Sequence, residues 1–122
     1  MNMSEITLQV EPNDLAPRVS RSHLDELRSD LGTRFSDVAI VVSELVTNSV
    51  RHSNGYDEIS VEVETSKDRI WVRVTDQGPC FSKEEPRNGG MGLDIVDQIA
   101  DEWGIKSSSG CQVWVEISKA VD

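Results

Sequence analysis

Apolar residues recur along this chain with two distinct periods. Ile6, Leu8 and Val10 alternate with polar neighbours, as a half-buried strand requires. Val19, Leu24, Leu27 and Leu31 then follow at helical intervals. Pro17 suits the first turn of that helix and Gly32 its stop. A second helix is predicted from Arg34 or Ser36 to His52, with Val42, Leu45, Val46 and Ser49 available for burial and Asn54-Gly55 as the turn beyond it. Alternation resumes at Ile59, Val61 and Val63 and again at Ile70, Val72 and Val74, with Asp68 at the turn between them. A third helix is predicted from about Gly92 to Ala100, with Leu93, Val96, Ile99 and Ala100 facing inward. Trp103 to Lys106 reads as a short strand, residues 107–110 as a turn, and Cys111 to Ile117 as the closing strand.

The resulting order is β-α-α-β-β-loop-α-β-β. Strands paired in sequence, with helices between the groups, imply an α+β fold. The expected form is a two-layer α/β sandwich, a mixed sheet with helices packed on one face. At 122 residues the chain is expected to be a single domain, 1–122, large enough for a real core.

Composition narrows the function. A hydrophobic share of 37% with three tryptophans excludes a disordered chain, and a net charge of −10 disfavours a phosphate-backbone binder, which needs clustered Lys and Arg. No signal peptide is apparent, and no apolar run approaches the roughly 20 residues that cross a bilayer. Cys80 and Cys111 are too few for a disulfide framework, and no Cys/His spacing suggests zinc. The expectation is a cytoplasmic protein with both thiols reduced.

The chemistry concentrates in three places. Glu44, Asn48 and His52 stand at four-residue steps and share one face of the second helix. A carboxylate there can position an attacking hydroxyl, and a carboxamide one turn on offers a neutral oxygen to a hard cation. Asp76-Gln77-Gly78 follows a strand, placing a carboxylate acceptor at the sheet end with room for a flat ligand. Gly89-Gly90-Met91-Gly92-Leu93 opens the third helix, where exposed N–H groups can meet phosphate. No Walker lysine follows, and no G-x-G-x-x-G lies after a strand. Each feature alone has a structural reading: a solvated helix face, an Asp-x-Gly turn, a flexible helix start.

Their order carries more than their parts. From Ile6 to Ile117 the chain resembles the GHKL ATP-binding fold, named for gyrase, Hsp90, histidine kinases and MutL, and within it the small anti-sigma factor serine/threonine kinases. The resemblance implies ATP and Mg²⁺ as cofactors. It makes Glu44 the catalytic glutamate and Asn48 the magnesium-binding asparagine, with Asp76 the acceptor for the adenine amino group and Gly78 beside it. Gly90, Met91, Gly92 and Leu93 would lie near the phosphates, residues 78–89 would form the lid, and Arg18 would grip partner proteins. The implied partners are an anti-sigma antagonist protein, phosphorylated on Ser or Thr, and a sigma factor, with no direct nucleic acid or membrane contact. A homodimer is compatible with the group. The alternative is a non-catalytic, nucleotide-gated protein-binding module.

Two positions depart from the family pattern. Cys80 replaces the second glycine of Asp-x-Gly-x-Gly, and Cys111 follows Gly110 where a threonine is common. Both cysteines are therefore expected near the pocket edge, either as two small, tolerated side chains or as the mark of a redox-sensitive pocket. The lid carries only Lys83 and Arg87 as cations. His52 is expected to cap or pack at its helix end, and Trp71, Trp103 and Trp114 to be core or sheet-face residues.

Overall fold

The computed structural model describes residues 3–53, 55–80, 93–107 and 109–119. The chain starts as strand β1 (Ser4–Val10) and enters helix α1 (Ala16–His23) with a proline in its first turn. One helix was expected to run on to Leu31. Instead the path tightens into a 3₁₀ turn at Leu24–Leu27, then makes the single turn α2 (Arg28–Leu31) and a second 3₁₀ turn at Gly32–Arg34. The tightened path keeps Leu24, Leu27 and Leu31 all buried, Leu24 and Leu27 stacking three apart in the 3₁₀ turn. Gly32 takes φ +55°, a conformation that suits a residue without Cβ.

Helix α3 (Phe35–His52) is the spine of the helical layer. Asp37 in its first turn and Arg51 and His52 in its last suit the helix dipole. Arg34 pairs with Asp37 at 2.9 Å and donates from Nε to the Ser118 carbonyl at 3.1 Å, tying the start of α3 to the last strand. Strands β2 (Ile59–Thr65) and β3 (Arg69–Asp76) follow, then helix α4 (Leu93–Ile99), β4 (Glu102–Ser107) and β5 (Cys111–Ser118).

The helices cover one face of the sheet, as a two-layer α+β sandwich requires. The sheet itself is corrected from mixed to antiparallel. Its order is β1-β2-β3-β5-β4, and all four pairings run antiparallel. The connection through α4 does bring β4 back in the direction of β3. The hairpin strand β5 then inserts between them, so no two neighbours are parallel.

Alternation sends Val61, Val63, Val72, Val74, Val113 and Val115 into the core against Val38, Val41, Val42, Leu45 and Val46 of α3. The other sheet face is half-buried and polar. There Trp71 Nε1 donates to Glu116 at 2.9 Å, Arg73 pairs with Glu64 at 2.6 Å, and Trp114 lies over Gly104, its cross-strand partner. A Cβ at Gly104 would sit 2.7 Å from that indole. Trp103 is buried and donates to Asp97 Oδ1 at 2.7 Å, fastening α4 to β4. Among the described residues no helix is long and apolar enough to cross a membrane.

Candidate functional site

The stripe on α3 resolves into three different environments. Glu44 is half-buried, Asn48 is only 2% exposed and His52 is exposed. Val42, Leu45, Val46 and Ser49 are buried, so the apolar flank anchors the helix and fixes the direction of the polar stripe. Asn48 Oδ1 is buried without a hydrogen-bond partner among the described residues. Such an atom costs about 1–3 kcal/mol, and natural proteins rarely tolerate one without a reason. Among the described residues no group of three or more His, Cys, Asp or Glu could hold a metal ion. A cation at Asn48 would take this amide oxygen, with a ligand and water as further donors. That donor set suits magnesium, which keeps its waters and accepts phosphate oxygens.

Asp76 ends β3 and is 5% exposed. Its Oδ1 accepts the Gly78 N–H at 2.8 Å, which turns the chain and orients the carboxylate. Gly78 is buried against the end of α3: a Cβ there would collide with the His52 carbonyl and approach Ser53 Cα at 2.7 Å. The Asp-x-Gly turn is thus wedged against α3 one helical turn, roughly 6 Å, beyond Asn48. This contact brings the expected adenine acceptor and the expected metal ligand into one region. His52 contributes its main chain to that wedge.

The β5 side closes on the same turn. Asp76 pairs in register with Cys111, and Gly110 (φ +122°) lies against the Asp76 carbonyl, where a Cβ would collide. Cys80 and Cys111 form a disulfide with Cα atoms 4.9 Å apart, which corrects the expectation of two reduced thiols. Sequence reasoning placed both at the pocket edge but not in contact. They are 31 residues apart, and only the β3–β5 pairing brings them together.

Leu93 is the first residue of α4 and its side chain is buried in the core, so it can serve a ligand only through its main chain. Gly90, Met91 and Gly92, and the cations Lys83 and Arg87, lie outside the described residues. Arg18 is exposed on α1, well apart from the Asp76 turn in the chain path, and lines a shallow groove with Arg21, Arg28 and Phe35. The Arg28 guanidinium stacks 3.8 Å from the Phe35 ring centre. Arg21 donates to Ser43 Oγ at 2.9 Å, linking that groove to the residue before Glu44.

Comparison with known proteins identifies the family. The family described as histidine kinase-, DNA gyrase B-, and HSP90-like ATPase matches residues 33–121. The serine-protein kinase RsbW of Listeria monocytogenes serotype 4a is 30% identical, over 89% of this chain and 83% of its own. RsbW of Bacillus velezensis is 28% identical over 89% and 81%. Among solved structures, the RsbU and RsbW domains of a Mycobacterium tuberculosis protein superpose with a TM-score of 0.72 at 19% identity, covering 93% of this chain and 31% of that one. The catalytic domain of the histidine kinase ThkA superposes at 0.61 with 20% identity, over 98% and 97%. At these identities the two structures speak to the fold alone.

Proposed function

The chain belongs to the histidine kinase-, DNA gyrase B- and HSP90-like ATPase family, and from that membership we propose that it is an ATP–Mg²⁺-dependent protein serine/threonine kinase of the anti-sigma type. The observation that carries the reading is the buried, unpartnered Asn48 Oδ1, one turn from the point where Gly78 wedges the Asp76 turn against α3. The whole of residues 1–122 acts as one nucleotide-binding domain.

Asp76 recognises the base. A carboxylate accepting from the adenine amino group contributes about 1.5–3 kcal/mol and disfavours guanine, which presents a carbonyl there. Gly78 lets the turn that carries Asp76 seat directly against the end of α3. Asn48 would hold the cation, which would supply charge neutralisation at the phosphates. Gly90, Met91, Gly92 and Leu93 are the residues assigned to the phosphates, as the family pattern implies. Glu44, on the same helix face as Asn48, orients the attacking Ser or Thr hydroxyl of a protein substrate, since phosphoryl transfer depends on positioning and electrostatics more than on covalent help.

Arg18 meets the partner proteins, an anti-sigma antagonist as substrate and a sigma factor as the regulated target. Against a net charge of −10, the groove that holds Arg18 and Arg21, with Arg28 paired to Asp25 at 2.8 Å, offers a docking point for acidic side chains. The reading places the protein in the cytoplasm, where ATP and such partners reside, and allows a homodimer. Radiolabelled phosphate transfer from ATP to a candidate antagonist tests it. Transfer is expected with the native chain and is expected to vanish in Glu44→Ala while ATP binding persists. ATP binding without transfer in the native chain would instead leave a nucleotide-gated binding module.

A further inference from the structure

Three constraints converge on Asp76 from the β5 side. Cys111 is its register partner, the Gly110 α carbon lies against its carbonyl, and the bond to Cys80 returns the chain to β5 four residues after Asp76. The segment carrying Gly78 is therefore held at both ends, by the strand ladder at Asp76 and by a covalent bond at Cys80. The 4.9 Å Cα separation falls inside the roughly 4.4–6.8 Å that a disulfide spans without backbone movement.

We propose that Cys80 and Cys111 form a reversible redox site that tunes nucleotide affinity: the disulfide preorganises the Asp76–Gly78 turn, and the dithiol form binds adenine nucleotide more weakly. The inference rests on the nucleotide reading given above. Restricting a binding segment to its bound shape raises affinity by lowering the ordering cost, and here the restricted segment carries the base acceptor.

Exposure assigns the order of the chemistry. Cys80 is partly exposed and Cys111 is 2% exposed, so Cys80 meets an external oxidant first. The oxidant is a low-molecular-weight disulfide of the glutathione class. The Cys80 thiolate attacks one of its sulfurs, forming a mixed disulfide and releasing one thiol. The Cys111 thiolate then attacks Cys80 Sγ and expels the second thiol. Two protein thiols are oxidised and one small disulfide is reduced to two thiols. Linkage requires that nucleotide stabilise the disulfide by the same factor by which the disulfide strengthens nucleotide binding.

The test uses the full chain, oxidised with glutathione disulfide or reduced with a phosphine, and titrated with ADP by calorimetry. Reduction is expected to weaken binding roughly five- to tenfold. Cys80→Ser and Cys111→Ser should bind like the reduced chain under both conditions, with unchanged circular dichroism. Equal affinity in both redox states would overturn the coupling and leave the nucleotide reading intact. Binding in neither state would overturn both. Independently, alkylation and mass spectrometry in glutathione buffers should show the Cys80–Cys111 bond, with saturating ADP shifting its midpoint ratio by the same factor. No bond in any buffer would overturn the site itself.

Discussion

The α carbon of Gly78 lies so close to the main-chain carbonyl of His52 that position 78 has no room for a Cβ. That single contact couples the end of β3 to the end of α3 and sets where Asp76 stands relative to Asn48. Gly78→Ala must push the two elements apart. Overpacking of this kind costs about 1–3 kcal/mol, which for a domain of this size lowers Tm by roughly 4–20 °C. Nucleotide affinity should fall with it, because the Asp76 turn moves. Calorimetric melting checks the first effect and ATP titration the second; an unchanged Tm would show that the wedge yields freely.

Asn48 leads to a prediction of opposite character. Its Oδ1 is buried without a partner, so Asn48→Ala removes an unsatisfied atom along with some packing. The two effects offset, and Tm should stay within about 5 °C of the native value. The functional loss should be specific: magnesium should no longer strengthen ATP binding. Titration with and without the cation reads this directly, and an undiminished magnesium effect would remove Asn48 from the metal site.

Much of this layout was legible in the sequence because periodicity reports burial. The alternation at Ile59–Val63 and Ile70–Val74 and the closing segment Cys111 to Ile117 predicted strands that the structure extends by only a residue or two at either end, and the four-residue steps on α3 placed Glu44 and Asn48 on one face. The break at Leu24–Leu27 was not legible, since spacings of three and four satisfy an α-helix and a 3₁₀ turn alike. Antiparallel pairing throughout was hidden for a different reason: local pattern marks β4 and β5 as strands but not that β5 inserts between β3 and β4. The Gly78 wedge and the Cys80–Cys111 bond depend on segments distant in sequence meeting, which no local period encodes. The equivalence of His52 to its two neighbours on the stripe was a product of spacing alone, and burial separates them.

Trp103 holds α4 in place through its hydrogen bond to Asp97, at 2.7 Å. Trp103→Phe keeps most of the buried area and deletes the donor to a charged acceptor, a loss of about 1.5–3 kcal/mol. Tm should fall by roughly 6–20 °C. Because α4 begins at Leu93, directly after the glycines expected near the phosphates, ATP affinity should fall more than adenosine affinity. A parallel titration of the two ligands decides it, and equal losses would detach α4 from the phosphate end.

Arg18 is exposed and lies in the groove of Arg21, Arg28 and Phe35, away from the Asp76 turn. Arg18→Ala should therefore leave ATP affinity and Tm unchanged while weakening antagonist or sigma-factor binding by about tenfold or more, the loss of one well-placed charged contact. Surface plasmon resonance with the partner and calorimetry with ATP separate the two effects. Partner affinity that survives the substitution would move the docking surface elsewhere.

The central claim is that Asp76 and Asn48 form one ATP–Mg²⁺ site, and calorimetric titration of the chain with ATP and magnesium tests it most directly. The account predicts saturable one-to-one binding, no comparable binding of GTP, and a loss of at least about tenfold in Asp76→Asn, equivalent to about 1.4 kcal/mol. Absence of binding at millimolar ATP, or an Asp76→Asn variant that binds as tightly as the native chain, would contradict it.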